Sequence, residues 1–511
     1  MSSPSKSGVT EFASSRCPKP NMNMHIAILT AMMGALMFGL DCGNFGAVQG
    51  LRSFQEEWCV GNFGDALTCS ADVKYGASVN PRWLKEFVQP GTVLYTLGAA
   101  LGSILLGPTI TNNLGRRHGI SFGAGISFWG CLHTSFRTYE SVTVFLLGRF
   151  LTGFGVGVCC FALPLYSSEV STPSIRGVTG SLFQLNCVLG GVLASVVTYF
   201  NRDWRVGMVL PGIAGAVVMV IVWFVPESPR YVMAKDGYEA GLTALSELRT
   251  GDATGEAQEI HAQLVEKNAA GQVGFGEIIG NASLRNRVFV AAALQFAQQF
   301  TGFNVIINYS ATLFTDMGFD SPFLINMMFN VGKLFGIIGG MILLDSRIGG
   351  RRIQLLCVTA IVGPAMTLSG FGSLLSWPQG VQLIFVIVIA VSWEHAWGMI
   401  PWIYPSELFT MAERDRATSL AVFTQYTSNA LLNGITPVLF SAIGVPATLI
   451  GFGIFNVLNL MFIYAFVKET KGVPLEDVPA LFGSNTRDLS RAKHESPASL
   501  ESGTSFSGAD V

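Results

Sequence analysis

Long apolar runs separated by short polar turns make up most of the chain. Runs with little or no charge occur at about 25–48, 89–111, 118–136, 141–166, 178–200 and 205–225. A charged, helix-compatible stretch follows at about 227–287. Six more apolar runs then appear, at about 288–312, 320–344, 353–375, 381–405, 417–440 and 445–467. Each is close to the ~20 residues that carry a helix across a bilayer. Trp377-Pro378-Gln379-Gly380 divides one long apolar stretch, and the segment from Pro437 to Pro446, with Gly444 inside it, divides another. The pattern predicts six spans, a linker and six spans, all helical, because backbone amides in lipid must be satisfied within their own segment. A membrane barrel would show alternating strands of about ten residues, and these are missing from the pattern.

Composition points the same way. Of 511 residues, 50% are hydrophobic and 13% charged, about half the charged share of a typical soluble domain. Lipid rather than water is the expected solvent. A net charge of −2 argues against a nucleic-acid partner. The polar segment up to Asn23 lacks the apolar core of a cleavable signal peptide.

Basic residues set the orientation. Arg116 and Arg117 follow the second span, Arg176 the fourth, Arg347, Arg351 and Arg352 the eighth, and Arg414 and Arg416 the tenth. Short cytoplasmic loops carry such an excess. Both termini and the charged linker are therefore expected in the cytoplasm, and the loop at about 49–88 outside. The expected organisation is an N-terminal tail (1–24), a six-helix bundle (25–225), a cytoplasmic linker (226–287), a second six-helix bundle (288–467) and a C-terminal tail (468–511).

The two halves repeat. Gly115-Arg116-Arg117 follows the second span of the first half, and Gly350-Arg351-Arg352 the second span of the other. Glu169 precedes Arg176 by seven residues, and Glu407 precedes Arg414 by the same interval. Repetition at matching places indicates an internal duplication, and paired bundles with a site between them are a design of secondary transporters. An arginine can hold a carboxylate with two parallel hydrogen bonds. Such pairs between the bundles would lock the cytoplasmic side and break as the bundles rock apart.

Asp41 lies within an apolar run, in Phe38-Gly39-Leu40-Asp41-Cys42. A carboxylate at membrane depth costs roughly 3 kcal/mol even on the mildest scale, so it normally faces a cavity and has a role. Arg149, in another apolar run, is its natural partner.

Further motifs carry a family resemblance. They are Gly148-Arg149-Phe150, Pro164-Leu165-Tyr166-Ser167-Ser168-Glu169 with Arg176-Gly177, and Pro226-Glu227-Ser228-Pro229-Arg230. To these are added Gln298-Gln299-Phe300-Thr301-Gly302-Phe303-Asn304, Pro401-Trp402 with Glu407-Leu408-Phe409, and Glu469-Thr470-Lys471-Gly472. Over about 25–480 the chain resembles the sugar porters of the major facilitator superfamily. The resemblance implies an all-α membrane fold of twelve helices in two pseudo-symmetric bundles, and a monosaccharide, most often a hexose, as substrate. It implies sugar contacts at Phe38, Gln184, Gln298, Gln299, Asn304, Asn308, Glu394, Trp402 and Asn429. It implies a charge network of Arg116, Arg117, Glu169, Arg176, Glu227, Arg230, Arg351, Arg352, Glu407 and Arg414. In proton symporters of the family Asp stands where Asp41 does, paired with an arginine matching Arg149; many passive carriers have Asn.

The residues fit that chemistry in their own right. Amides offer both donors and acceptors to sugar hydroxyls, and an aromatic such as Trp402 can lie against sugar C–H groups. Gln295 reads instead as a helix–helix tie. A proton-coupled importer working by alternating access is the expected function, with the proton as coupling ion and no other cofactor. A facilitative uniporter is the alternative, and a non-transporting sugar receptor a remote one. No nucleophile–base pair, metal cluster or phosphate loop suggests an enzyme. Plasma-membrane location and function as a monomer are expected.

Several positions depart from the family pattern. Asn308 takes the first place of a usual Tyr-Tyr pair, Gln425-Tyr426 stands where Asn or Gln before Trp is common, and Gly191 replaces a glutamine found in some coupled members. Asn112 replaces an acidic residue before Arg116. Lys333, inside the eighth span, has no role that the sequence assigns. Cys59 and Cys69 fall in the loop expected outside, where either a disulfide or two free thiols fits.

Overall fold

The computed structural model describes residues 19–60, 62–63, 81–136, 141–172, 175–270, 275–344, 346, 349–409, 411–473 and 477–482. Helix dominates. In the first half α1 is Met22–Cys42, α2 Gln89–Leu101, α3 Arg116–Ser135, α4 Val142–Val170, α5 Arg176–Phe200 and α6 Trp204–Ile221. In the second half α7 is Ala282–Phe300, α8 Pro322–Leu344, α9 Arg351–Leu374 and α10 Gln379–Ala396. The run Met411–Phe466 turns at Gly444 (φ 80°), giving α11 before it and α12 after it.

Among the described residues nine runs are long and apolar enough to cross a bilayer, and one of them, Arg416–Phe466, holds both α11 and α12. The spans α3 and α7 complete the twelve. Their hydropathy is lowered by Arg116, Arg117 and His118 in one and by Arg285, Arg287 and three glutamines in the other. Many large apolar side chains point outward, including Trp129, Phe224, Phe335 and Ile342, as expected where lipid is the solvent.

Small residues set the helix spacing. Gly153 and Gly157 of α4 face the backbone of Tyr95 and Ala99, while Gly98 and Gly102 face that of Phe150 and Phe154. A side chain at any of these positions would hold α2 and α4 apart, so the paired glycines allow close van der Waals packing without a hydrophobic drive.

The α7 span is broken. Gly302 has φ 84°, a left-handed conformation that suits glycine, and a Cβ there would press on Phe452. Short helices Phe303–Asn308 and Ser310–Asp316 continue the span. The break is satisfied locally: Asn456 Nδ2 donates to the Thr301 carbonyl at 3.1 Å, and Trp393 Nε1 to Thr301 Oγ1 at 2.8 Å. Unwound backbone is tolerated at membrane depth only when partnered in this way.

The linker is helical, with Pro229–Asp236, Tyr238–Ser246, Thr254–Ala270 and Phe275–Gly280. Arg249 fastens it to the first half, pairing with Glu256 at 2.7 Å and donating to the Val170 carbonyl at 2.9 Å. A two-residue antiparallel pairing joins Lys19–Pro20 to Arg249–Thr250, so the end of the expected N-terminal tail is structured. Cys59 is disulfide-bonded; Cys69 lies outside the described residues.

Candidate functional site

Two layers of polar groups run through the bundles. The first lies at the turns carrying Gly-Arg-Arg. Arg116 holds Glu169 through Nε at 2.7 Å and Nη2 at 2.8 Å, a bidentate pair. Glu227 accepts the backbone N–H groups of Arg116 and Arg117, each at 3.1 Å. Ser228 Oγ donates to Glu169 at 2.5 Å. The second half repeats every part. Arg351 Nη2 meets Glu407 at 2.8 Å, Glu469 accepts the N–H groups of Arg351 and Arg352 at 2.9 and 3.0 Å, and Thr470 Oγ1 donates to Glu407 at 2.6 Å. In both halves a carboxylate sits on the N-terminus of the third helix, where free N–H groups and the helix dipole favour negative charge. Arg117 and Arg352 complete the match, each donating at 2.7 Å to a carbonyl, of Trp223 and Tyr464 respectively.

Glu169 and Glu407 pair with Arg116 and Arg351. The Arg176 side chain lies outside the described residues, and Arg414 Nη2 donates to the Phe409 carbonyl at 3.3 Å. The ion pairs among the described residues run within each half, whereas the expected lock joins the halves only when the cytoplasmic side is shut. The reason is the state of the seam. On the side away from the Gly-Arg-Arg turns the halves are tied together: Gln49 Nε2 donates to the Asn308 carbonyl at 3.0 Å, Thr92 and Tyr309 hydroxyls lie 3.1 Å apart, and Gln89 Nε2 donates to the Gly434 carbonyl at 2.6 Å. Arg230 meets an amide, Gln263 Oε1, at 2.7 Å. An ion pair absent from the expectation, Arg287 with Glu413 at 2.7 Å, joins α7 to α11.

The second layer lies deep in the bundles. Asp41 on α1 and Arg149 on α4 are each 3% exposed. Arg149 Nη1 meets Asp41 Oδ1 at 3.1 Å, and its Nε donates to the Gly91 carbonyl at 3.3 Å. The guanidinium carbon lies 4.3 Å from the Phe45 ring centre and 4.6 Å from that of Tyr95, positions where aromatic faces stabilise a cation. Asp41 Oδ2 is buried with no hydrogen-bond partner.

Amides gather in the second half. Gln298 Nε2 donates to the Trp397 carbonyl, and its Oε1 accepts from Gln425 Nε2 at 2.6 Å. Gln299 Oε1 accepts from Asn304 Nδ2. Asn308 Nδ2 donates to Asn433 Oδ1 at 2.8 Å, and Asn433 Nδ2 to Asn429 Oδ1 at 2.7 Å. Glu394 accepts from Gln184 Nε2 at 2.9 Å, a contact between the two halves, and Lys333 Nζ lies 3.9 Å from its other oxygen. Phe38 and Trp402 are half-buried. Gln295, expected as a helix tie, donates to the Pro401 carbonyl at 2.8 Å.

Residues 26–482 match the family described as "Sugar (and other) transporter". The chain belongs to this family. The transporter is 26% identical to "Sugar transport protein 1" of Arabidopsis thaliana over 89% of each chain, and 29% identical to "Solute carrier family 2, facilitated glucose transporter member 3" of Mus musculus over 91% of this chain and 94% of that one. Its fold is that of the xylose transporter XylE from E. coli. The partially occluded inward open form of XylE matches with a TM-score of 0.71 at 22% identity, over 89% of this chain and 100% of that one. The form described as a proton:xylose symporter bound to 6-bromo-6-deoxy-D-glucose matches with 0.72 at 23% identity, over 90% and 99%. The twelve-helix major facilitator fold follows, and fold and family are those of membrane transporters.

Sequence reading of this transporter noted Gln425 only as part of a departure from the family pattern, and it missed Asn433 and the partner of Lys333. A signal for the first two was present. Gln425, Asn429 and Asn433 recur every four residues in an apolar run, which puts three amides on one face of α11. Lys333 has no such signal, because its partner lies on another helix.

Proposed function

We propose that this sugar transporter is a monosaccharide–proton symporter importing a hexose by alternating access across the plasma membrane, as a monomer with both termini in the cytoplasm. The observation that carries the proposal is the buried Asp41–Arg149 pair with one carboxylate oxygen unpartnered. A carboxylate held on one side by a guanidinium and free on the other is a place for a proton. Protonation removes the charge that binds α1 to α4, loosening two helices of the first half together. Sugar contacts are assigned to Phe38, Gln184, Gln298, Gln299, Asn304, Asn308, Glu394, Trp402 and Asn429, whose amides supply the mixed donors and acceptors that hydroxyls need. With the seam tied away from the Gly-Arg-Arg turns, the site belongs to a state facing the cytoplasm. In the opposite state the arginines and glutamates of those turns would meet across the seam. Each imported proton supplies about 2.3 kcal/mol per 100 mV of membrane potential.

A facilitative uniporter is the second reading. The similarity to a facilitated glucose transporter favours it, and the Asp41–Arg149 pair would then be a fixed brace. Sugar-induced alkalinisation of a weakly buffered medium separates the two. Cells making the wild type take up protons with sugar under symport, and cells making Asp41→Asn do not; a silent wild type that still takes up sugar is a uniporter.

A further inference from the structure

Lys333 is the only charged residue of α8. A lysine at such depth costs about 3 kcal/mol on the mildest scale. Its side chain is 11% exposed, and that of Glu394 1%. The 3.9 Å between them exceeds the ~2.7–2.9 Å of a charge-assisted hydrogen bond. An ammonium carries three donors, yet among the described residues Lys333 makes no hydrogen bond; besides Glu394 it faces the Phe303 ring, 5.9 Å from its centre. Arg149, a buried cation of the first half, is by contrast satisfied by a carboxylate, a carbonyl and two ring faces. The Lys333–Glu394 pair is therefore unfinished.

The charge balance says what would finish it. Lys333 and Glu394 together are neutral, so a carboxylate or an ammonium entering between them would leave a buried net charge, at a cost of several kcal/mol. A neutral group that accepts from the ammonium and donates to the carboxylate leaves none. A hydroxyl does both. Its oxygen, about 2.8 Å from each partner at a near-tetrahedral angle, would set them about 4.5 Å apart, so seating it asks for a shift of under about 1 Å at the end of a flexible side chain. Gln184, which holds the other Glu394 oxygen, comes from the opposite half, so the carboxylate that accepts the hydroxyl is itself braced from the first half.

We infer that Lys333 is a specificity-determining residue which, with Glu394, clamps one substrate hydroxyl as both donor and acceptor. The inference rests on the transport reading of the site. It selects neutral polyols over uronates and amino sugars, and requires a free hydroxyl at one ring position.

The test is uptake of a radiolabelled hexose by cells lacking their own hexose carriers, competed by monodeoxy and monofluoro analogues, one ring position at a time. In the wild type one position is expected to lose at least about tenfold in affinity with both analogues, since neither can donate. In the charge-neutral double variant Lys333→Gln with Glu394→Gln that penalty is expected to fall below about threefold while other positions keep theirs. Should the double variant fail to reach the membrane, Lys333→Arg carries the test: it keeps the charge but moves the donors, and the same position must change its penalty by more than about threefold. An unchanged profile in the variants, or a wild type that prefers hexuronate or glucosamine to hexose, overturns the clamp and leaves sugar transport standing. A correctly inserted wild type that takes up no sugar overturns the transport reading and the clamp with it.

Discussion

Asp41 reaches Arg149 with one oxygen only: Oδ1 lies 3.1 Å from Nη1, while Oδ2 is buried without a hydrogen bond. The asymmetry separates coupling from transport. Asp41→Asn keeps an oxygen for the guanidinium but offers no site for a proton. The expected outcome is loss of accumulation against a gradient, with sugar exchange retained. Steady-state accumulation with and without a protonophore, compared with counterflow, reads both. A variant that still accumulates sugar in a protonophore-sensitive way removes Asp41 from the coupling.

The two halves predict matched energetics at their helix caps. Glu227 and Glu469 each accept two backbone N–H groups at the start of the third helix of their half. Replacing either by Ala is expected to destabilise by about 1–3 kcal/mol, from a lost charged cap and unsatisfied donors. The double variant should be additive, since the two sites lie in separate halves and share no partner. Thermal unfolding in detergent measures it. Unequal effects would show that one cap matters for something besides helix stability.

The glutamines of α7 separate site from scaffold. Gln298 joins the Trp397 carbonyl, Gln425 and the seam amides, whereas Gln295 ties α7 to the Pro401 carbonyl. Gln298→Ala is expected to raise the KM for hexose about tenfold or more, the value of one or two lost hydrogen bonds. Gln295→Ala should lower the unfolding temperature and leave KM within about threefold. Initial-rate uptake and thermal unfolding on both variants decide; a reversed pattern would exchange the roles.

The span pattern was legible because lipid demands it. Apolar runs marked all twelve helices, and Gly444 with its flanking prolines marked the turn between α11 and α12. The repeat was legible in Gly-Arg-Arg, since identical residues recur at equivalent turns. The pairing of charges was not. Glu169 stands seven residues from Arg176 but lies against Arg116, which is 53 residues away in the chain, and helix packing, not sequence distance, settles the choice. The kinship of Glu227-Ser228 with Glu469-Thr470 was equally hidden, because each carboxylate caps a helix more than a hundred residues before it. Lys333 could be seen as anomalous, but its meeting with Glu394 depends on how α8 packs on α10.

Gly302 yields a last prediction, on the break in α7. Its φ of 84° is left-handed, and an added Cβ would meet the Phe452 side chain. The turn lies between Gln298 and Gln299 on one side and Asn304 on the other, so the backbone there sets the register of the amide cluster. Gly302→Ala carries both a conformational strain of about 1–3 kcal/mol and a clash with a packed ring. Relaxing that strain would rotate Phe303–Asn308 and pull Asn304 away from Gln299. Both a lower unfolding temperature and a higher KM are expected. The double variant Gly302→Ala with Phe452→Gly distinguishes the causes: it removes the Phe452 Cβ and Cγ that lie 2.7 Å from the added methyl group, but not the strain. If the clash governs, uptake returns toward wild type; if the left-handed turn governs, KM stays high even with room for the methyl group.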